Sequence, residues 1–397
     1  MPSCLIIVEN LPVPLDRRVW QEALALTEAG WQVSVICPRT FLYPEEEEVI
    51  DRIFIYRHPA PLEARGRFKF IFEYASALYH EARLTWKVFR RHGIDVIHAC
   101  NPPDLIFLIA IPLKLLGTKF VFDQHDICPE LYTAKFRARG FGYWATRLCE
   151  WLSYKTANFV ITANESFKML CAPRNRKCLS EIAVVRSFPD TDKFSLVPSD
   201  AESPIRRKLV IGYIGVIGDQ DGVDMLVRAV AVLREQYGAT DIVCRIIGDG
   251  PSCASVKALA KAANLGDLVE FTGYLRGRDL LTCLSSFDIG VIPDPKNTYT
   301  DNITMNKVFE YMFLAKPIVG FRLRETMDLV GTCGIFAEEE TPETLAKAIF
   351  TLMSDSVLRT KMGEAGYRRA RELFSWRTES QKLIAVYDGL KPANIAV

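Results

Sequence analysis

Residues 300–319, TDNITMNKVFEYMFLAKPIV, place a lysine and a carboxylate at a spacing that suits a sugar nucleotide. A polar, turn-prone segment leads into helix formers and then into Lys316-Pro317, so the pattern predicts a loop, a short helix, a turn and a buried strand. Lys307 lies near the predicted helix start, and Glu310 follows one turn later. Helix N-termini attract phosphate, a lysine adds a point charge, and a carboxylate accepts hydrogen bonds from ribose hydroxyls. We therefore predict a sugar-nucleotide site in this segment.

A second candidate for chemistry is His125, in the segment VFDQHD at the carboxyl end of a predicted strand. Enzymes with α/β folds place functional side chains there, and a histidine can donate a hydrogen bond, act as a base or orient a hydroxyl. The structural alternatives are a cap on the following helix or a buried, satisfied imidazole. Because Asp126 and Glu130 crowd the same loop, we favour the functional role. His98 is expected to pack or to support the site, and Asn101 to cap the next helix.

A glycine-rich segment, GYIGVIG at residues 212–218, follows another predicted strand. Glycines allow a phosphate to approach backbone N–H groups closely. The spacing is not that of the G-x-G-x-x-G dinucleotide motif, and no such motif follows the first strand, which disfavours a nicotinamide or flavin enzyme.

Two aspartate pairs, Asp190/Asp192 and Asp219/Asp221, have the D-x-D spacing of some metal sites. Both lie in turn-rich segments, where aspartate is common because it hydrogen-bonds its own backbone. We therefore expect no bound metal.

Composition places the chain among ordinary globular proteins of two domains. The 397 residues exceed what one core usually serves, and 49 basic against 48 acidic residues disfavour an overall nucleic-acid binder. Eleven cysteines without a C-x-x-C pair fit a reducing cytoplasm. The N-terminus has no pattern of a signal peptide, and the longest apolar run, 105–116, is too short to span a membrane. We expect a cytoplasmic location.

Apolar β-branched runs alternate with helical patterns along the whole chain, which predicts an α/β fold with two doubly wound parallel sheets. The polar stretch 195–208 is expected to link the two halves, and the acidic run 45–48 to be a solvated loop. Ligands of such sheets bind beyond the carboxyl ends of the strands, so two facing units would enclose a cleft. Predicted strands are 5–8, 32–37, 53–56, 96–99, 119–122, 159–162, 209–214, 241–247, 269–272, 289–292, 317–320 and 334–336.

Two basic, aromatic helical stretches lie in the first half, at 65–91 and 135–155. Basic amphipathic helices can lie on anionic membranes, which predicts peripheral contact with the inner face of the plasma membrane. The alternative is that the aromatic residues face the core and the cations are solvated, and the sequence does not favour either.

Taken together, these segments resemble the retaining, nucleotide-sugar-dependent glycosyltransferases of the GT-B fold and family 4 type, which include bacterial polysaccharide and glycolipid sugar transferases. The resemblance covers nearly the whole chain, and its most specific part is residues 307–319, where the last glutamate of an E-x7-E motif contacts ribose. The other matching segments are 16–30, the first loop and helix; 122–131, the catalytic-histidine loop; 185–190, the loop before the linker; 212–224, the first donor-domain loop; and 248–251 with 271–274, the base-binding region.

The resemblance implies two Rossmann-like domains that face each other across a cleft. Residues 1–200 would form the acceptor-side domain, residues 208–375 the donor-binding domain, and residues 376–397 a helix that crosses back to the first domain.

By the same resemblance, His125 belongs to the reaction centre, Lys307 meets the diphosphate and Glu310 binds ribose. The residues implied on the acceptor or phosphate side are Arg17, Arg18, Asp126 and Arg186. Those implied in donor binding are Gly215, Gly218, Gly250, Gly273, Tyr274, Asn302, Ile303, Thr304, Met305, Asn306, Lys307 and Glu310.

The chain departs from the family pattern at the donor site. Asn302 stands where the first glutamate of E-x7-E is expected, and Val216 and Asp221 stand where basic residues are common. The diphosphate charge is then expected to be met by Lys307, by backbone N–H groups and by an arginine from elsewhere (Arg18, Arg186 or Arg276).

The implied activity is transfer of a sugar from a nucleotide-sugar, with UDP-glucose as the first candidate, to an acceptor hydroxyl with retention. No metal, cofactor or nucleic acid is expected; the acceptor would be lipid-linked or a polysaccharide, in envelope polysaccharide or glycolipid biosynthesis. Two alternatives keep the fold: a nucleotide-sugar epimerase, and a non-catalytic sugar-nucleotide-binding subunit of a transferase complex. A dehydrogenase is disfavoured by the missing dinucleotide motif.

Overall fold

The computed structural model describes residues 1–59, 67–136, 138–188 and 208–391, without the side chains of residues 67–72. The chain divides into two compact units, one formed by Met1–Ser187 with Trp376–Val397 and the other by Phe188–Ser375. Asp190, Asp192 and all but the last residue of the expected linker lie outside the described residues.

The first unit is built on a sheet in the order β3-β4-β2-β1-β5-β6-β7-β8. Neighbouring strands are parallel except β3 and β4, which pair antiparallel at one edge. The strands are β1 (Ser3–Ile7), β2 (Gln32–Pro38), β3 (Glu47–Ile50), β4 (Ile53–His58), β5 (Val96–Cys100), β6 (Lys119–Gln124), β7 (Phe159–Thr162) and β8 (Ile182–Val184). The helices of the same part of the chain are α1 (Arg17–Glu28), α2 (Arg67–His92), α3 (Phe107–Lys114), α4 (Cys128–Phe136), α5 (Phe141–Thr156) and α6 (Glu165–Asn175).

The second unit has a parallel sheet in the order β11-β10-β9-β12-β13-β14. Its strands are β9 (Leu209–Ile214), β10 (Ile242–Ile247), β11 (Val269–Gly273), β12 (Ile289–Ile292), β13 (Ile318–Phe321) and β14 (Gly334–Ala337). Its helices are α7 (Val223–Tyr237), α8 (Cys253–Ala262), α9 (Gly277–Ser285), α10 (Asn306–Phe313), α11 (Arg324–Val330), α12 (Pro342–Ser354) and α13 (Ser356–Leu373). The last helix, α14 (Trp376–Asp388), belongs to the first unit.

The α/β prediction is confirmed, because both sheets are parallel wherever strands alternate with helices. The prediction for residues 45–48 is wrong in part, since Glu47–Ile50 forms β3 and pairs with β4. Charged side chains at a sheet edge discourage pairing with another chain, so an acidic run is compatible with an edge strand. The short strand β8 was not predicted from the sequence.

The helix that ends the chain is tied into the core of the first unit. Leu383 and Tyr387 of α14 are fully buried in the apolar cluster that contains the inner faces of β1 and β2. The Tyr387 ring packs edge-on against Trp31 at a centroid distance of 5.0 Å. An aromatic pair of this geometry contributes about 0.5–1.5 kcal/mol beyond its buried area, so α14 stabilises the sheet that carries His125.

The second unit brings its backbone segments unusually close together around Tyr311 of α10. A Cβ on Gly290 would lie 2.5 Å from the Tyr311 ring, and the Tyr311 hydroxyl accepts a hydrogen bond from the Ile214 N–H at 3.1 Å. The ring therefore packs α10 directly against the backbone of β9 and β12.

The described helices include none that is both long and apolar enough to cross a bilayer. All eleven cysteines lie in described residues and are free thiols.

Candidate active site

In the first unit, Asn101 fixes the loop that carries His125. Its Oδ1 accepts hydrogen bonds from the backbone N–H groups of His125 at 2.6 Å and Asp126 at 3.1 Å. Its Nδ2 donates to the Asp126 carbonyl at 2.8 Å. The prediction that Asn101 caps the next helix is wrong, because α3 begins only at Phe107 and its N-terminus has no side-chain cap. Asn101 and His125 follow the adjacent strands β5 and β6, so the sheet holds them together.

Asp123 orients the imidazole of His125. The His125 Nε2 lies 2.6 Å from Asp123 Oδ2, and Arg18 donates to the two oxygens of the same carboxylate at 3.1 and 2.7 Å. Burial alone would raise the pKa of Asp123, but Arg18 and His125 outweigh it and hold that pKa well below its usual range. Since an ionised carboxylate only accepts hydrogen bonds, Nε2 of His125 carries the proton, and Nδ1 is the ring nitrogen that can meet a substrate.

His98 connects this pair to the C-terminal helix. Its Nδ1 lies 2.7 Å from the Tyr387 hydroxyl, and its Nε2 lies 3.3 Å from Asp123 Oδ2. Burial lowers the pKa of His98 and raises that of the neighbouring Glu22 well above its ordinary value. Arg18 lies 3.3 Å from Glu22 Oε1 and donates to Asp123, so its guanidinium is the cation that faces both carboxyl groups of the cluster.

Among the described residues, Glu22, His98, Cys100 and Asp123 also form the one group of three or more His, Cys, Asp or Glu side chains whose ligand atoms all lie within 4.8 Å of one another. The guanidinium of Arg18 already donates to both oxygens of Asp123. A metal ion here would lie beside a fixed positive charge, so the residues do not fit a metal site.

The arginines predicted on the acceptor side have different surroundings. Arg18 is 8% exposed and also donates to the Val185 carbonyl at 2.7 Å, so its guanidinium is used inside the unit. Arg17, at the start of α1, is exposed. The backbone N–H of Arg186 donates to Glu379 of α14 at 3.0 Å. Arg18 therefore has the position of a structural ion-pair partner, while Arg17 remains accessible.

In the second unit, backbone hydrogen bonds connect the loops that follow β9, β10 and β11. The N–H of Gly215 donates to Ile247 at 3.1 Å, and the N–H of Gly248 donates to Gly273 at 2.9 Å. Gly248 has a φ of +133°, and a Cβ there would lie 1.9 Å from the Gly215 carbonyl oxygen. Only glycine fits this approach. The loops that follow β9, β10 and β11 therefore meet at the carboxyl ends of these strands, and they carry Gly215, Gly218, Gly250 and Gly273.

Both members of the Asp219/Asp221 pair are used to shape these loops. Asp219 accepts a hydrogen bond from the Ser252 hydroxyl, and Asp221 accepts one from the Gly218 N–H at 3.0 Å. Burial, together with the charge of Asp294, raises the pKa of Asp221 to about 6. The N–H of Gly218, a residue implied in donor binding, is therefore paired with an aspartate.

Lys307 lies at the start of α10, as the sequence predicted. Its ammonium lies 2.7 Å from Asp294 Oδ2 and 4.7 Å from the centre of the Tyr213 ring. No side chain caps the N-terminus of α10, whose N-cap is Met305. A partly buried lysine beside uncapped helical N–H groups is suited to bind an anionic group such as a diphosphate.

The residues between 302 and 305 form the loop that leads into α10. The buried amide of Asn302 donates to the Thr298 carbonyl at 2.7 Å and accepts from Arg324, and Thr304 donates to Glu325 at 2.9 Å. Glu310, on the first full turn of α10, is 7% exposed. The amide of Asn302 therefore holds the loop in place.

The predicted base-binding region presents an aromatic ring to solvent. Tyr274, which follows β11, is 65% exposed, and the Arg276 guanidinium lies 4.9 Å from the centre of its ring. A cation over an aromatic face is attracted by the ring quadrupole. The guanidinium of Arg276 therefore makes a cation–π contact with the ring of Tyr274.

Three residues that shape these two sites were not assigned these roles from the sequence. They are Asp123, which orients His125; Asn101, which holds the His125 loop; and Asp294, which pairs with Lys307. Each lies at the end of a buried strand or within two residues of it, at the edge where α/β folds bind ligands. That position is the only signal in the sequence that could have identified them.

Two family models match the chain. The model described as Glycosyltransferase Family 4 matches residues 15–193, and the one described as Glycosyl transferases group 1 matches residues 208–355. The two matches together span most of the chain.

Curated relatives include the 2-deoxystreptamine glucosyltransferase of Streptomyces kanamyceticus, 23% identical over 280 residues, which are 68% of this chain and 70% of the relative. The D-inositol 3-phosphate glycosyltransferase of Corynebacterium jeikeium is 26% identical over 226 residues. That match covers 53% of this chain and 52% of the relative, about half the length of each.

Solved structures resemble the chain over almost its whole length. The sucrose-phosphate synthase of Thermosynechococcus elongatus has a TM-score of 0.80 at 18% identity and covers 98% of this chain and 99% of its own. The Anabaena protein HepE in complex with UDP and glucose has a TM-score of 0.74 at 14% identity, with coverage of 98% and 100%. At these identities, the likeness shows the fold.

Proposed function

Because the chain belongs to the GT-B glycosyltransferases of the family 4 type, we propose that it transfers a hexosyl group from a UDP-linked donor to an acceptor hydroxyl with retention. UDP-glucose is the first candidate for the donor. The observation that carries the proposal is the uncapped N-terminus of α10, with Lys307 beside it and the glycine loops after β9 and β10 in the same unit. The binding of UDP and glucose by HepE, a protein of the same fold, supports the choice of donor.

The donor would be held mainly by α10 and the loop before it. Lys307 and the first N–H groups of α10 meet the diphosphate, which competes with Asp294 for the lysine, and Glu310 accepts hydrogen bonds from ribose hydroxyls. As the bond to the sugar breaks, negative charge grows on the departing diphosphate, and these fixed donors stabilise it without reorganisation. The acceptor hydroxyl attacks from the face that the diphosphate leaves: its oxygen bonds to the anomeric carbon as the bond from that carbon to the diphosphate breaks, and its proton passes to the departing diphosphate. The chemistry therefore requires positioning and electrostatics and no side-chain nucleophile.

His125 would act where the sugar is transferred. Asp123 fixes its Nε2–H, so Nδ1 can accept a hydrogen bond from a substrate hydroxyl and orient it for transfer. We expect the reaction to need no metal, because the charges that face the proposed diphosphate are supplied by the protein itself.

The function is tested by measuring donor binding and transfer with the same preparation. We expect UDP-glucose to raise the melting temperature of the protein, since a ligand that binds only the native state stabilises it. Glu310→Ala should weaken donor binding by about 10- to 100-fold, because a charge-assisted hydrogen bond contributes about 1.5–3 kcal/mol. Glu364→Ala, an exposed carboxylate of α13 in the same unit, is the matched control and should bind donor as the wild type does.

Product analysis distinguishes the alternatives. Acceptor-dependent formation of an α-linked glycoside from an α-linked donor, seen by NMR, supports retaining transfer. Conversion of the free nucleotide-sugar without an acceptor would instead identify an epimerase. Donor binding without any turnover across an acceptor panel would identify a non-catalytic subunit, for which Asn302 and Asp221 are the atypical residues.

We also propose that the acceptor is lipid-linked and reached at the cytoplasmic face of a membrane. The helix α5 exposes Phe141 (90%), Trp144 (65%), Leu148 (56%) and Trp151 (39%). Their spacing places them along one face of the helix, so these apolar residues do not face the core. Of the described cations in the same stretch, Lys135, Arg139 and Lys155 are exposed. Arg147 is half-buried and donates to Glu150. Arg137 and residues 65–66 of the two basic stretches lie outside the described residues.

Vesicle binding tests this contact. The wild type should cosediment with vesicles that contain anionic phosphatidylglycerol and bind neutral phosphatidylcholine vesicles more weakly, because both apolar insertion and charge attraction contribute. Trp144→Glu should reduce binding by about tenfold or more, since a charge replaces the interfacial aromatic ring. Val357→Glu, which changes a residue of α13 that is 76% exposed, should bind like the wild type. Equal binding by all three proteins, or binding that ignores anionic lipid, would contradict the proposal.

A further inference from the structure

The first unit contains a group of buried polar side chains that the proposed mechanism does not use. Glu9 lies in the loop after β1, and Glu81 lies on the face of α2 that packs towards the sheet. Thr85 follows Glu81 by one helical turn. These residues are 8%, 1% and 2% exposed, respectively.

The polar atoms of this group lack hydrogen-bond partners among the described residues. Oε2 of Glu9, both carboxylate oxygens of Glu81 and the hydroxyl of Thr85 are buried without a hydrogen bond. Independently, Nε2 of His58, a side chain that is 1% exposed at the end of β4, has no such partner, and its ring lies parallel to that of His80 at 6.4 Å. Native proteins rarely leave several buried polar groups unsatisfied, so such a set indicates a missing ligand.

Within the described part of the chain, no cation compensates the acidic groups. Glu73, a half-buried residue of α2, lies two turns before Glu81. None of the ion pairs among the described residues involves Glu9, Glu73 or Glu81. Burial, with Glu81 and Glu73 adding to it, raises the pKa of Glu9 to about 8, and burial raises the pKa of Glu81 to about 7. The group therefore offers unused hydrogen-bonding atoms, and a cation placed beside the two carboxyl groups would favour their ionised, hydrogen-bond-accepting form.

The group lies at the same edge of the sheet as His125. Glu9 follows β1 and His125 follows β6, and the two strands flank β5, which separates their ends by roughly 10 Å.

We propose that Glu9 and Glu81 form a subsite that binds a protonated amino group of the sugar acceptor, close to the hydroxyl that receives the transferred sugar. The inference rests on the proposed function, because it assigns the amine to the acceptor of that reaction. An ammonium group has three N–H donors and one positive charge, so it supplies what the two carboxyl groups lack. A neutral polyol supplies donors without charge, and a phosphate would be repelled.

A metal ion fits less well than an amine. In the part of the chain that the structure describes, Glu9, Glu73 and Glu81 do not form a group with ligand atoms within 4.8 Å of one another. Divalent ions need several oxygen ligands at about 2.0–2.6 Å. An ammonium group instead donates hydrogen bonds from its three N–H groups, so it needs fewer oxygens and holds them at longer distances.

The test measures binding of three matched probes without any donor: the methyl glycosides of glucosamine, N-acetylglucosamine and glucose. They share one ring and differ in whether they carry a charged amine. By saturation-transfer NMR or calorimetry, we expect the amine to bind the wild type about tenfold more tightly than either neutral probe. Glu81→Gln and Glu9→Gln should each abolish that preference. Glu28→Gln, an exposed carboxylate of α1, is the matched control and should keep it.

Two readouts separate loss of the subsite from loss of the fold. Glu81→Gln and Glu9→Gln should not lower the melting temperature, because each removes an uncompensated buried acid, and both should keep the thermal shift with UDP-glucose. Equal binding of the three probes, no binding at millimolar concentration, unchanged preference in both variants, or displacement of the amine by Mg²⁺ would each overturn the proposal. Amine binding without any UDP-glucose shift would uphold this subsite and refute the proposed function instead.

Discussion

Replacing His125 by alanine is expected to lower the rate of sugar transfer by about 10²–10⁴-fold, the usual contribution of a side chain that moves or orients a proton. The affinity for UDP-glucose should stay within about twofold of the wild type. The reason is the placement of His125 in the first unit, on a loop fixed by Asn101 and with its Nε2 held by Asp123, whereas Lys307 and Glu310 lie in the second unit. Single-turnover assays with saturating donor, together with donor titration by calorimetry, measure the two quantities separately.

His92→Ala provides the matched control for this prediction. His92 is also in the first unit, at the end of α2, where its ring nitrogens contact Gln32 and Tyr56. It follows no strand end, so its loss should leave the transfer rate nearly unchanged. A transfer rate in His125→Ala similar to that of His92→Ala would remove His125 from the reaction centre.

Replacing Arg18 by methionine should destabilise the first unit by about 3–5 kcal/mol, the usual effect of removing one partner of a buried ion pair. Arg18 is 8% exposed, and its guanidinium donates hydrogen bonds to Asp123 and to the Val185 carbonyl. Without it, the buried carboxylate of Asp123 keeps His125 as a donor but loses its cation, and the Val185 carbonyl loses the hydrogen bond from Arg18. Urea unfolding, followed by the near-ultraviolet signal of Trp31 and the other aromatic residues, measures the change.

Arg17→Met is the matched control, because Arg17 is the adjacent residue of α1 and is exposed. Its effect should stay within about 0.5 kcal/mol. Equal stability of the two variants would show that Arg18 does not compensate Asp123.

The effect of Arg18→Met should also depend on pH. In the wild type, the pKa of Asp123 is held below its unfolded value of about 4. The ion pair therefore contributes stability that is complete above about pH 4 and is lost as the pH falls through the folded pKa. In the variant, burial should raise the pKa of Asp123, so the difference between the proteins should shrink as the pH is lowered from 7 towards 4.

The donor side of this protein could be predicted largely from local sequence. The segment 300–319 forms a loop, the short helix α10 and the strand β13, in the predicted order. Its signals are short-range: turn-forming residues, a helical run and a β-branched pair within twenty residues. The positions of Lys307 and Glu310 follow from that order, because side chains three apart lie on one face of a helix.

The surroundings of His125 could not be predicted in the same way. Asp123 accepts from Arg18, 105 residues away in the chain, and His98 meets the Tyr387 hydroxyl across 289 residues. No local pattern encodes such pairs, because each partner alone resembles an ordinary buried or capping residue. Asn101 illustrates this. Asparagine is a residue type that often caps helices, but the parallel pairing of β5 with β6 places Asn101 beside the loop that carries His125.

The sequence alone determined the α/β class, the family resemblance and the residues of the α10 segment, because periodicity and short motifs depend on neighbours along the chain. Only the tertiary structure decided which charges compensate one another. It showed that Arg18 is bonded to Asp123, that Asp221 meets the N–H of Gly218, and that Glu9 and Glu81 are buried without a cation from the described residues. The physical reason is that the energy of a charge depends on burial and on partners brought together by folding, and these are not properties of local sequence.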